Sequence, residues 1–86
     1  MPLQVSVVSA DQQVWAGEAS MVVARTTEGE IGILSGHTPL LAILTSGEVR
    51  VTQLGGGKIV ATASEGFMSV EHDVVTIVAR DAALTS

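Results

Sequence analysis

The sequence has no cysteine and no tyrosine, and it has only one tryptophan, one phenylalanine and four cations. Without cysteine there are no disulfides, thiolate metal ligands or cysteine nucleophiles, a composition that fits a reducing compartment. Trp15 and Phe67 are too few for a platform on which bases or sugars stack. Arg25, Arg50, Lys58 and Arg80 stand against nine acids, for a net charge of −5. That balance gives no basic footprint for nucleic acid and no electrostatic anchor for a membrane surface. No apolar run approaches the roughly 18 residues of a spanning helix, and segments such as Leu40 to Leu44 are among the longest. The opening residues lack the basic-then-apolar pattern of a signal peptide.

What is present is β-branched. Val, Ile and Thr make up 26 of the 86 residues, in short runs broken by Gly-, Asp- or Ser-containing turns, which reads as strands throughout. Leu3, Val5 and Val7 alternate with Gln4 and Ser6 as a first strand. A second run follows Gly17, from Glu18 to Ala24. A loop over Thr26–Glu30 leads into Ile31–Leu34, and Ser35–Pro39 turns the chain into Leu40–Thr45. Ser46-Gly47 reads as the turn of a hairpin into Glu48–Thr52, where Val49 and Val51 face opposite to Glu48, Arg50 and Thr52. The three glycines 55–57 reverse the chain into Ile59–Ser64. Phe67–Val70 and Val74–Ala79 follow, joined by Glu71-His72-Asp73. Turns every 8–12 residues or so predict a small all-β domain of sandwich or barrel type. Its core is expected from Val5, Val7, Val49, Val51, Ile59 and Ile77. Asp81–Leu84 is the one place where a helix could begin. At this length a domain buries only about 60% of its unfolded surface, so a high apolar content points to an interface patch.

Chemistry is hard to find. Gly55-Gly56-Gly57-Lys58 lacks the spaced first glycine and the following Ser or Thr of a phosphate loop, and it joins two strands. His37 and His72 have no local cluster of further metal ligands, and no serine lies in a nucleophile elbow. Glu28 and Glu30 flank Gly29, where paired carboxylates do acid–base work only if burial or a like charge shifts a pKa. Trp15 fits either a core or an interface anchor. These residues assign no catalytic group, no metal site and no cofactor. The alternative they leave open is a small ligand-binding or hydrolytic β-domain.

Two segments carry a resemblance. Val7-Val8-Ser9-Ala10-Asp11-Gln12-Gln13-Val14-Trp15-Ala16-Gly17 resembles the opening of the epsilon subunits of F-type ATP synthases: a short strand, a polar turn, an aromatic and a glycine. The stretch from Glu28 to Leu41, with Glu-Gly-Glu, Ile-Gly-Ile and Gly-His-Thr-Pro-Leu, is similar to the signature of that family, and Glu65-Gly66-Phe67-Met68-Ser69-Val70 follows in order. The likeness covers residues 3 to 82. It implies a small two-sheet β-sandwich over residues 1–82 and a tail, 83–86, at the start of the helical region. The family's C-terminal helical hairpin is not encoded in these 86 residues. Inhibitory insertion and ATP binding, which belong to that hairpin, are therefore not expected.

The resemblance implies a non-catalytic rotor subunit of the central stalk, on the cytoplasmic face of a bacterial membrane without inserting into it. Its partners would be the gamma subunit and the c-ring. Ring contact falls by position in the motif on Glu30, with Glu28, Gly29, Ile31 and His37 beside it. Gamma contact is expected near Ser9 and on Leu41, Ala42 and Ile43. One departure is Ser35, where the family usually has proline, so a less rigid turn is expected there.

Overall fold

A computed structural model describes residues 2–85; Met1 and Ser86, the outermost positions of the expected domain and tail, lie outside the described residues. Seven strands account for most of the chain: β1 (Leu3–Val8), β2 (Gln13–Thr26), β3 (Gly29–Leu34), β4 (Leu40–Leu44), β5 (Gly47–Gln53), β6 (Lys58–Glu71) and β7 (Val74–Leu84). All pair antiparallel except β1 with β7, which run parallel.

The hydrogen-bonded network is one sheet folded over on itself. A first layer runs from the N-terminal half of β2 through β1, the start of β7 and the second half of β6 to β4. A second layer runs from β3 through the C-terminal half of β2, β5 and the first half of β6 to the end of β7. The inner faces share one core, with Leu3, Val5, Val7, Met68, Val70, Val75 and Ile77 from the first layer and Val22, Ile33, Val49 and Val51 from the second. All six residues expected in the core line it, with Ile59 only partly buried at its margin. Trp15 is half-buried against this core, its ring lying over Gly17.

The fold-over explains where the sequence-based boundaries fail. Side chains of a strand alternate between faces with a period of two. In β2 the inward positions step from Ala19 to Val22, and in β7 from Ala79 to Ala82. Each three-residue step carries the strand from one layer to the other, as bulges and bends do at sheet corners. The sequence reading starts the second strand after Gly17 and breaks the chain at Glu65-Gly66, yet β2 begins at Gln13 and β6 passes straight through Glu65-Gly66. Glu65 has a φ of 52° at this corner. Gly66 is required there, because a Cβ would overlap the Val78 carbonyl oxygen and lie 2.6 Å from Ala79 Cα.

Two expectations are overturned. Ser46-Gly47 does not close a hairpin. Leu44 pairs with Gly66 and Gly47 with Ala63, three residues further along both strands, so β4 and β5 are one kinked strand laid along β6. The chain changes layer there and keeps its direction. Asp81–Leu84 does not begin a helix either. It pairs with Ala61–Ser64 as the end of β7, and the Thr85 amide donates to the Val60 carbonyl. Ladder pairing overrides the helix propensity of Ala82, Ala83 and Leu84.

Candidate functional site

The outer face of the first layer is built from residues directly opposite one another. Ile43, Phe67, Val78, Val8 and Gln13 form one row across five strands. Leu41, Ser69, Thr76, Ser6 and Ala16 form the next, and Glu71, Val74, Gln4 and Glu18 a third. Leu41, Ile43 and Phe67 are 68%, 57% and 39% exposed. No cation lies in these rows. Polar groups bound them instead: Gln4 donates to Glu18 (2.8 Å) on one margin, and Arg80 pairs with Glu65 (3.3 Å) beyond Val78 on the other. The arrangement is a flat apolar and small-residue surface with a polar rim, the anatomy of a protein–protein contact.

Of the expected gamma-contact residues, Leu41 and Ile43 project from this face. Ser9 follows Val8 at its margin, and its hydroxyl closes the β1–β2 turn by donating to the Gln12 carbonyl (3.2 Å). Ala42 does not belong with them. Alternation along β4 turns it inward, half-buried against the core. Phe67 and Val78, which complete the row, escape sequence reasoning because only the pairing of β6 with β4 and β7 places them beside Ile43.

Of the expected ring-contact residues, Gly29, Glu30 and Ile31 lie in β3, an edge strand that among the described residues pairs only with β2, while Glu28 precedes it and His37 follows it. Thr26, nearly buried, closes the β2–β3 turn: its hydroxyl donates to the Gly29 carbonyl (2.7 Å) and accepts from the Glu28 amide (3.1 Å). That fixes Glu28 and Gly29 at one tip. Glu28 and the half-buried Ile31 line a cleft of about 180 Å³ together with Leu40–Ile43, so the two expected contact groups meet there. Glu30 is not in a loop. It sits in β3 opposite Arg25, and its carboxylate pairs with Arg50 at 3.0 Å, both side chains about half exposed at 59% and 44%. This pair links segments 20 residues apart in sequence, and no local pattern announces it.

His37 lies past the opposite end of β3, a strand that spans roughly 17 Å from Gly29 to Leu34. Leu34–His37 forms a type II turn, with the His37 amide donating to the Leu34 carbonyl (3.2 Å) and Gly36 at φ +86° in the position that needs it. Ser35 occupies the turn position that favours proline. Here the turn is tied from outside: the Gly36 amide donates to Asp73 Oδ1 (2.8 Å) and the Ser35 hydroxyl to Asp73 Oδ2 (3.4 Å). Ser35, His37 and Asp73 thus gather at one end of the sandwich. The serine hydroxyl bonds the carboxylate directly, and His37 Nδ1 meets the Thr38 carbonyl at 2.7 Å. An open groove of about 530 Å³ lies at the fold-over, lined by residues that include Ser9, Asp11, Glu48, Ser64, Arg80 and Asp81. Neither histidine lines it.

The family described as the beta-sandwich domain of the ATP synthase delta/epsilon chain matches residues 2–85. The ATP synthase epsilon chain of Frankia casuarinae is 49% identical over 99% of this chain and 100% of its own length. That of Micrococcus luteus is 54% identical over 95% of this chain and 90% of its own. Among solved structures, a chain of the Euglena gracilis mitochondrial ATP synthase, determined with its c-ring, superposes with a TM-score of 0.90 at 28% identity over 96% of this chain. The match spans 53% of that Euglena chain. A chain from the central stalk and c-ring of the Tetrahymena thermophila mitochondrial enzyme gives a TM-score of 0.76 at 15% identity, covering 95% of this chain and 66% of that one. This second likeness concerns the fold alone. The sandwich, its order of motifs and these relatives agree: the chain belongs to the ATP synthase epsilon-chain family, as its N-terminal β-sandwich domain.

Proposed function

We propose that the chain is a non-catalytic central-stalk subunit that couples proton-driven rotation of the c-ring to ATP synthesis, docked peripherally on the cytoplasmic face of a bacterial membrane. The outer face of the first layer takes the gamma subunit, with Leu41, Ile43, Phe67 and Val78 at its centre and Ser9 at its rim. The β2–β3 tip and the β3 edge, with Glu28, Gly29, Glu30, Ile31 and His37, take the polar loops of the ring. Catalysis and nucleotide binding lie in other parts of the assembly.

The observation that carries this reading is the cation-free face, whose two rows of apolar and small residues each span five strands. A domain this small gains nothing by exposing Leu41, Ile43 and Phe67 together unless a partner covers them. The epsilon-chain relatives, and the Euglena chain from an assembly described with F1 and a c-ring, support a place in an ATP synthase complex; gamma and the ring are the partners we propose within it. The test is a pull-down with matched gamma. Binding at micromolar concentration is the expected result, and clean absence of binding refutes the gamma-facing part of the reading. Calorimetric titration with ATP is expected to give no one-to-one binding below millimolar concentration.

A further inference from the structure

Asp73 holds together three segments that are distant in sequence. Its carboxylate accepts from the Gly36 amide and the Ser35 hydroxyl in the β3–β4 loop. Its backbone carbonyl accepts from the Gln4 amide at the start of β1 (2.8 Å). The residue itself sits with His72 in the two-residue turn of the β6–β7 hairpin, and both have positive φ, 61° and 50°. Such a turn favours Gly or Asn at least as well as Asp. The turn alone therefore gives no reason for a carboxylate, and the side chain's visible use is to fasten the neighbouring loop. That loop carries His37 and joins the edge of the second layer to β4 of the first, so its position fixes one docking surface against the other.

We infer that Asp73 is a positioning residue for ring docking: it clamps the Ser35–Pro39 loop to the β6–β7 turn and so holds His37 and the far end of β3 in register with the apolar face. The inference rests on the reading that this loop and β3 meet the ring. Two accepted hydrogen bonds to a charged oxygen pair are stronger than neutral ones, and an amide deprived of such an acceptor opens to solvent.

The test uses the full chain, matched gamma and the detergent-solubilised c-ring. Asp73→Gly removes the carboxylate but keeps the positive φ of the turn without cost. Its expected effects are a roughly tenfold faster hydrogen exchange at the Gly36 amide and a roughly fivefold weaker affinity for the ring. Gamma affinity and the exchange of the β6–β7 ladder stay unchanged. Asp73→Asn keeps one acceptor for Gly36 and tolerates the backbone, so it should restore most of both losses. The inference is overturned if Gly36 exchange does not change in the glycine variant. It is also overturned if the loop opens with ring affinity intact, or if gamma and ring affinities fall together. Failure of the unaltered chain to bind the ring would instead defeat the reading of the docking surface, and Gly36 exchange would still decide the clamp by itself.

Discussion

The two outer faces of this sandwich are made by the same strands and differ sharply. The first layer presents Ile43, Phe67, Val78, Val8, Leu41 and small polar side chains, with Glu71, Gln4 and Glu18 along one margin and no cation in its three rows. The second presents Arg25 opposite Glu30, Arg50 between Val23 and Val60, and Lys58 opposite Thr52. It therefore holds three of the four cations of the chain. Because β2, β6 and the β4–β5 strand each cross the corner with a three-residue step, one strand contributes to both faces with opposite phase. β6 offers Phe67 outward in one layer and Lys58 and Val60 outward in the other. The difference between the faces is therefore set at the corner. A single extra residue decides which half of a strand is read as apolar surface and which as charged surface.

The largest expected effect comes from breaking that corner. Gly66→Val drives a side chain into the Val78 carbonyl and the Ala79 backbone, neither of which can move without opening the β6–β7 ladder. A loss of about 3 kcal/mol or more is expected, read as a lower midpoint of urea unfolding, with both faces lost together. If the variant is as stable as the parent, the close approach is not a constraint on the fold. Ile77→Ala, inside the first layer, should cost about 2–4 kcal/mol and leave the outward rows in place.

Substitution on the surface separates the faces. Phe67→Asp puts a charge in the middle of the apolar row at a position that is already partly exposed, so thermal unfolding should shift by only a few degrees. Gamma affinity should drop about 30-fold, equivalent to roughly 2 kcal/mol for a central interface residue. Lys58→Asp on the opposite face should leave gamma affinity unchanged. If both variants weaken gamma binding equally, the apolar face has no special role.

The sequence makes the strand content, the core and the family legible because each rests on local signals: period-two alternation at Val49 and Val51, turn residues, and one long motif from Glu28 to Leu41. It hides what depends on pairing between distant segments. Ser46-Gly47 has the composition of a reversing turn, and only the shared partner β6 makes it a corner. Ala82, Ala83 and Leu84 favour helix in isolation but complete a ladder with Ala61–Ala63. Phe67 and Val78 join Ile43 through pairing alone. Glu30 reads as a free loop acid because its partner, Arg50, lies on a strand that the motif does not include.

That pairing makes the charged face the place for the smallest and most discriminating prediction. Glu30 is the residue proposed to meet a polar loop of the ring, where a basic group would match its charge, yet its carboxylate is already bound to Arg50 and stands opposite Arg25. A half-exposed pair contributes little to stability, about 0.2–1 kcal/mol, so neither Glu30→Gln nor Arg50→Gln should change the unfolding midpoint appreciably. Ring docking is different, because a basic group arriving from the ring must share Glu30 with Arg50 or displace it. Glu30→Gln should loosen docking by no more than about 1 kcal/mol. Arg50→Gln should tighten docking slightly by freeing the carboxylate and removing a like charge, and the part due to the freed carboxylate should vanish when Glu30 is also Gln. Glu30→Lys puts three cations side by side and should impair docking most, with the defect easing as salt screens the repulsion. The measurement is a double-mutant cycle on ring affinity at low and at physiological salt. If Arg50→Gln has the same effect with and without Glu30, the two residues act independently in docking. If a disulfide between cysteines at position 30 and the ring loop cannot form in an assembled complex, Glu30 does not face the ring, and the charged face must then be assigned to another partner.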